Sequence, residues 1–400
     1  MNIFGKLRVC AAAVSIVIGA AAVETARAAW VKTVVVPDNR AQTLGVKALL
    51  VNGQPTIYYP GFFLNGPGQQ LYAASRSGGV WSNGQIDTAP GTGSPVAVDG
   101  VVNGGVPQVG VAYTDISNPT QGSLRIMSKP GASWQTDREI LSGGHHYGEQ
   151  VSLGLLNGNT IGVYSGADAS NPTSRSARYL QNTGPGTWSE TQVPGLPFNS
   201  IDRLSISTIG GQPAVLAAYD NGSIGDYYAQ RNADGTTWSV TQVDFFSNSG
   251  GKLIVDETGE PAFAGKTGSV VRYSYRRNGS WQFENLTTNS VAVGIDAAII
   301  NGVPTIAYLN RNDNALHFRQ KIGGSWNDLT IDTGANADFD PSVSLLDLGG
   351  GSVGVAYVTN GTGGANHPVI YMENIVPEPA SAGVLGLVAA AFVSRRRRRG

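Results

Sequence analysis

Half of the chain's four histidines stand side by side in the segment His145-His146-Tyr147-Gly148-Glu149. Two imidazoles and a carboxylate within so short a stretch could form a metal-ligand set or a general base. The spacing matches no established metal motif, and adjacent residues of an extended chain point to opposite sides. A solvated loop is the competing reading, and neither a metal nor another cofactor is expected. Asp202-Arg203 is a second polar pair. Together with Glu149 it supplies the carboxylates and guanidinium that a glycosidase or lyase would use, although the separation of two such carboxylates is set by the fold and not by spacing along the chain. Asp115, Asp168, Asp220 and Asp313 follow apolar runs, and Asp338 and Asp340 precede one. Aspartates in such places usually bond their own backbone and shape turns. A serine nucleophile elbow, a phosphate loop and an Asp-x-Asp-x-Asp-Gly calcium loop are all absent, so no residue is assigned a catalytic role.

The sequence around these groups is repetitive. Trp30, Trp81, Trp134, Trp188, Trp238, Trp281 and Trp326 are separated by 51, 53, 54, 50, 43 and 45 residues. Around each runs a common unit. An apolar run leads to a tight turn such as Asn52-Gly53 or Asn301-Gly302, and a β-rich run such as Val215-Leu216-Ala217-Ala218-Tyr219 follows. A polar loop, a third run and a Gly-containing turn then precede the tryptophan. Asn-Gly between alternating apolar runs is a hairpin signal, because both central residues of a type I′ turn need positive φ. Four short strands in roughly 50 residues make a propeller blade. A pair of β-sandwiches is the competing architecture, and the regularity of the repeat disfavours it. Equivalent placement in every repeat makes the tryptophans packing residues between blades, whereas a sugar-stacking platform needs only one or two exposed rings.

The ends decide the closure. The last repeat, from Pro341 to Ile375, has three strands and no tryptophan strand, whereas Trp30 to Val36 is a tryptophan strand with no blade before it. The expected fold is therefore all-β: a seven-bladed β-propeller over residues 29–375, closed by its own N-terminal strand. Pairing the two ends removes two open sheet edges. The Gly-x-Trp turns resemble the Asp-box of sialidase-like propellers, most closely in Arg231-Asn232-Ala233-Asp234-Gly235-Thr236-Thr237-Trp238. Ala233 stands where that pattern has Asp and Arg231 where it has Ser, so the resemblance implies the fold and carries over no chemistry.

The termini read as targeting signals. Lys6 and Arg8 precede an apolar stretch, and Ala26-Arg27-Ala28 offers a small-x-small cleavage pattern, so residues 1–28 are expected to be a signal peptide cut after Ala28. The only cysteine, Cys10, lies in that leader, which excludes disulfides and thiolate chemistry from the expected mature body. Residues 376–400 hold Pro377-Glu378-Pro379, an apolar stretch from Ala380 to Val393, and Arg395, Arg396, Arg397, Arg398 and Arg399. An apolar helix ending in a basic cluster is a membrane stop with its end held at the cytoplasmic face. This tail resembles the PEP-CTERM sorting signal of Gram-negative bacteria. The resemblance implies recognition by an exosortase in the inner membrane, transient anchoring there, and release to the cell surface or a polysaccharide-rich extracellular matrix.

Without leader and tail the body keeps 19 basic and 26 acidic residues, a balance of −7 that argues against nucleic acid as a partner. The resulting expectation is a monomeric, exported, non-catalytic propeller that binds polysaccharide or another surface component. The alternative is a glycan-acting enzyme. Either site would lie on the face formed by the loops joining second to third strands and fourth strands to the next blade. His145, His146, Tyr147, Glu149, Asp202 and Arg203 are the candidates.

Overall fold

The structure is a computed structural model. It describes residues 29–374 except 38–44, 63–68, 89–92, 116–121, 142–146, 169–170, 198–200, 220–224, 245–246, 250, 289, 336–341 and 360–366. The signal-peptide and sorting-tail readings, with Ala28, Pro377, Glu378, Pro379 and the five terminal arginines, lie outside the described residues. Among those described, no helix is long and apolar enough to cross a membrane.

Seven antiparallel sheets form the blades. Six are continuous in sequence, spanning 47–88, 93–141, 147–192, 201–244, 247–285 and 292–332. The seventh is composite: Val343–Gly349, Ser352–Val358 and Val369–Asn374 are completed on the outside by Trp30–Val36. That strand runs antiparallel to Val369–Asn374, with Trp30 opposite Asn374 and Val34 opposite Ile370. The expected ring, and its closure by the first strand, are both present.

Local chemistry explains the hairpins. Asn52 and Gly53 take φ of 51° and 74°, and Asn301 and Gly302 take 52° and 73°, as a type I′ turn requires. Second strands are mostly apolar and buried. In Gln212–Tyr219 every residue after Gln212 is buried. Outer strands such as Thr187–Gln192 are mostly exposed.

The tryptophans join one blade to the one before it. Trp238 packs edge-on against Tyr179 at 5.6 Å, Trp326 against Tyr273 at 5.2 Å, and Trp81 against Tyr371 at 5.2 Å. Trp134 meets Tyr58, Trp281 meets Tyr228, and Trp30 meets Phe318 in the same manner. Trp188 packs on the apolar cluster containing Leu124 and Ile126 of blade two. All seven rings are half-buried. Edge-to-face pairs of this kind add about 0.5–1.5 kcal/mol beyond the area they bury.

A second tie also runs backwards around the ring. Tyr113 donates its hydroxyl to Asp87 at 2.6 Å, Tyr219 to the Pro197 carbonyl at 3.0 Å, and Tyr357 to Asp332.

Blade five departs from the four-strand frame. Its first strand is split into Ser247–Ser249 and Leu253–Val255, both paired with Pro261–Thr267. The break passes through Gly251, where a Cβ would lie 1.4 Å from the Ala264 carbonyl oxygen. Only glycine lets the backbone approach so closely.

Candidate functional site

Each blade places one residue at an equivalent position facing the ring axis: Lys47, Asp99, Ser152, Ser205, Asp296 and Ser344 stand in first strands, and Lys252 stands in the break just before Leu253–Val255. Those with an acceptor take a backbone amide from the next blade. Ser344 Oγ accepts from Ala48 N at 3.0 Å, Ser152 Oγ from Ile206 N at 3.2 Å, and Ser205 Oγ from Leu253 N at 2.9 Å. Asp99 Oδ2 accepts from Leu153 N at 3.0 Å and Asp296 Oδ2 from Leu345 N at 2.8 Å. Lysine has no acceptor, so the amides after Lys47 and after Lys252 in the ring must be satisfied otherwise. There the following blade supplies its own aspartate: Gly100 N bonds Asp99 Oδ1 and Ala297 N bonds Asp296 Oδ1, both at 2.9 Å. A lysine is thus always followed by an aspartate around the ring.

The charges meet at Asp99. Lys47 Nζ lies 2.8 Å from its Oδ1, and Lys252 Nζ, from a blade three places further on, lies 3.1 Å from its Oδ2. Burial alone would raise the Asp99 carboxyl, but Lys252 and Lys47 outweigh it and hold the group below the ordinary carboxylate range. Asp296 goes the other way. Burial pushes it up, and Lys47, Lys252 and its two amides offset that only in part. Around these side chains lies a recess of about 120 Å³, lined also by Gln150, Arg203 and Ser342. It is well below the roughly 300–1,000 Å³ of drug-sized ligand sites and holds a few waters or one small ion. The first strands are bulged just before the ring residue in blades two, three, four and six, a device that re-aims a side chain.

Of the residues singled out in the sequence, Arg203 reaches this recess. It follows the bulge at Ile201 and makes no ion pair among the described residues. Asp202 stands beside it in Ile201–Ile209, and Tyr147 and Glu149 stand in Tyr147–Leu156 of the adjacent blade. The structure describes the backbone, and not the side chains, of these three. His145, His146, Asp220, Asp338 and Asp340 lie outside the described residues. Asp115 and Asp168 end second strands, with side chains likewise undescribed.

Asp313 is a turn former. Its Oδ1 accepts from Ala315 N at 3.1 Å, and its Oδ2 lies 2.9 Å from His317 Nε2. The His317 ring stacks on Tyr308 at 5.0 Å. Burial would lower its pKa, but bonds to Asp328 and Asp313 raise it above the ordinary histidine value. No group of three or more metal-ligating side chains occurs among the described residues.

In the segment resembling an Asp-box, Asp234 holds the turn. It accepts from Thr236 N at 2.8 Å, Thr237 N at 2.9 Å and Thr237 Oγ1 at 2.5 Å. The Thr237 hydroxyl and the two amides hold its pKa at about 2.

The ring residues escape a motif search because each is a single polar residue in an apolar strand. Their signal is the recurrence of Val-Lys-Ala, Val-Asp-Gly and Ile-Asp-Ala around Lys47, Asp99 and Asp296 at blade spacing.

No protein-family model and no curated protein matches the chain. Among solved structures it is similar to a protein of unknown function from Dyadobacter fermentans, at 14% identity and a TM-score of 0.49, covering 86% of this chain and 99% of that one. Trypanosoma rangeli sialidase matches at 11% identity and a TM-score of 0.47 over 90% of this chain, which spans 57% of the sialidase's length. The Aleuria aurantia lectin, a six-bladed propeller, matches at 14% identity and a TM-score of 0.46, over 76% of this chain and all of the lectin. At these values none of the three bears on ligand or chemistry, and the fold rests on the strand pairing.

Proposed function

We propose that the protein is an exported, non-catalytic propeller of the bacterial surface or extracellular matrix that binds polysaccharide or another surface component. The observation that carries a binding role is the state of the recess carboxylates. Asp99 and Asp296 each hold two backbone amides, and Asp99 also holds two lysines. A general acid or base needs a carboxyl free to exchange its proton with substrate, and these oxygens are fixed in the scaffold. Export and the polysaccharide-rich setting rest on the leader and on the Pro377-Glu378-Pro379, apolar and arginine tail. The tail's partner in this reading is an exosortase-type enzyme.

Incubating the purified protein with exopolysaccharide from the producing cell tests the reading. Retention of the protein, with no oligosaccharide released, is the expected result. Absence of retention sinks it, and release of oligosaccharides replaces it with an enzyme using Glu149, Asp202 and Arg203. Export is tested by a tag after Arg399, which should vanish from the surface-exposed form and persist when Pro377, Glu378 and Pro379 are changed to alanine.

A further inference from the structure

Among the described residues the central recess has more hydrogen-bond donors than free acceptors. Asp99 Oδ1 is occupied by Gly100 N and Lys47, and its Oδ2 by Ser152 Oγ, Leu153 N and Lys252. Both Asp296 oxygens carry an amide. On the donor side, the Ser205 and Ser344 hydroxyls each accept an amide, and neither proton has an acceptor among the described residues. Lys47 and Lys252 each bring three N–H bonds, and Arg203 brings five, with no ion pair among the described residues. Among the described residues three basic side chains face two carboxylates.

We propose that the recess is a binding site for one small tetrahedral oxyanion, phosphate or sulfate, held between Arg203 of blade four, Lys252 of blade five and Lys47 of blade one, with the Ser205 and Ser344 hydroxyls completing its shell. A volume of about 120 Å³ admits such an ion and lies well below that of drug-sized ligand sites. The donors come from blades on different sides of the axis, which suits an ion whose acceptors point in four directions better than a planar carboxylate. The break at Gly251 and the bulge before Arg203 aim two of the three cations. The ion is either free in solution or a phosphate or sulfate ester carried by a polymer. The site stands independently of the polysaccharide reading.

Equilibrium dialysis of the purified protein against labelled sulfate and labelled phosphate, in excess chloride, tests the proposal. The expected result is one saturable ion per chain, bound at least tenfold more weakly by Arg203→Gln, with Arg203→Lys intermediate. Arg203 makes no bond in the amide ring, so an unchanged melting temperature of both variants in chloride separates lost binding from lost folding. No saturable binding over chloride, or equal binding by Arg203→Gln, overturns the proposal. Competition by a sulfated polymer but not by its desulfated form assigns the ion to a polymer ester, whereas competition by neither assigns it to the free ion. Polysaccharide retention unaffected by sulfate and by Arg203→Gln, with no ion bound, would leave the proposed function standing and this site refuted.

Discussion

Asp99 gathers bonds from three blades besides its own, so its charge matters more than its volume. Asp99→Asn keeps the size and takes from Lys47 and Lys252 the carboxylate they pair with, which should cost about 3–5 kcal/mol in urea unfolding. Ser344→Ala removes only the acceptor for the buried Ala48 amide, and a loss of about 1–3 kcal/mol is expected. His317 gives a pH-dependent term of known sign. Its folded pKa lies above the unfolded value of about 6.5, so its contribution is fully present below that value and fades as pH rises through the folded pKa. Unfolding midpoints between about pH 5.5 and 8.5 should fall more steeply in the parent than in His317→Gln. At this scale the sequence was legible in part. Asp313 reads as a turn former from its place after an apolar run, and it is one. Arg203 reads as a charge of the loop face, whereas the structure sets it within Ile201–Ile209 at the recess. That Lys252 crosses the axis to Asp99 is invisible along the chain, because the meeting is fixed by how seven sheets curve round a centre.

The elements carry a redundant set of ties between blades. A tryptophan and, in several blades, a tyrosine hydroxyl reach back to the previous sheet, while a serine or aspartate at the axis takes an amide from the next one. Removing one tie should therefore weaken the ring without opening it. Trp238→Ala takes a half-buried ring off Tyr179 and should cost about 3 kcal/mol, the low end for a large aromatic, by urea unfolding. Gly251→Ala is harsher for its size. Its Cβ meets a backbone carbonyl that cannot turn away, so a loss of about 3 kcal/mol or more is expected, against a negligible change for alanine at the open surface position Gly84. Blade count and hairpins are legible because Asn-Gly turns and tryptophans recur with the period of the sheet. The split strand of blade five is not, since Gly251 declares itself only through the Ala264 carbonyl it touches.

For the whole molecule the decisive feature is the composite seventh blade. Lys32 of the closing strand pairs with Asp332 of blade six at 2.6 Å, and Tyr357 of blade seven bonds the same carboxylate. Burial would raise Asp332, but Lys32, Tyr357 and the Gly334 amide hold it below its ordinary value. Lys32 is partly exposed, so Lys32→Ala should change stability by less than about 1 kcal/mol. Deleting residues 30–36 should instead lower the melting temperature by many degrees. It bares the edge of Val369–Asn374 and removes Trp30 from Phe318. An unchanged melting temperature would refute the closure as a stabilising device. The strand count at the two ends makes this closure legible in sequence, because each terminal piece alone is an incomplete blade.

Trp30–Val36 can find its partner only once Val369–Asn374, made much later, exists. Until then the N-terminal ribbon, with Val31 and Val34 facing water, is a detached arm, and the groove it fits is identical on every copy of the protein. Crowded or interrupted synthesis should therefore yield exchanged dimers, each molecule lending its arm to the other, and dilution after mild denaturation should return them to single rings.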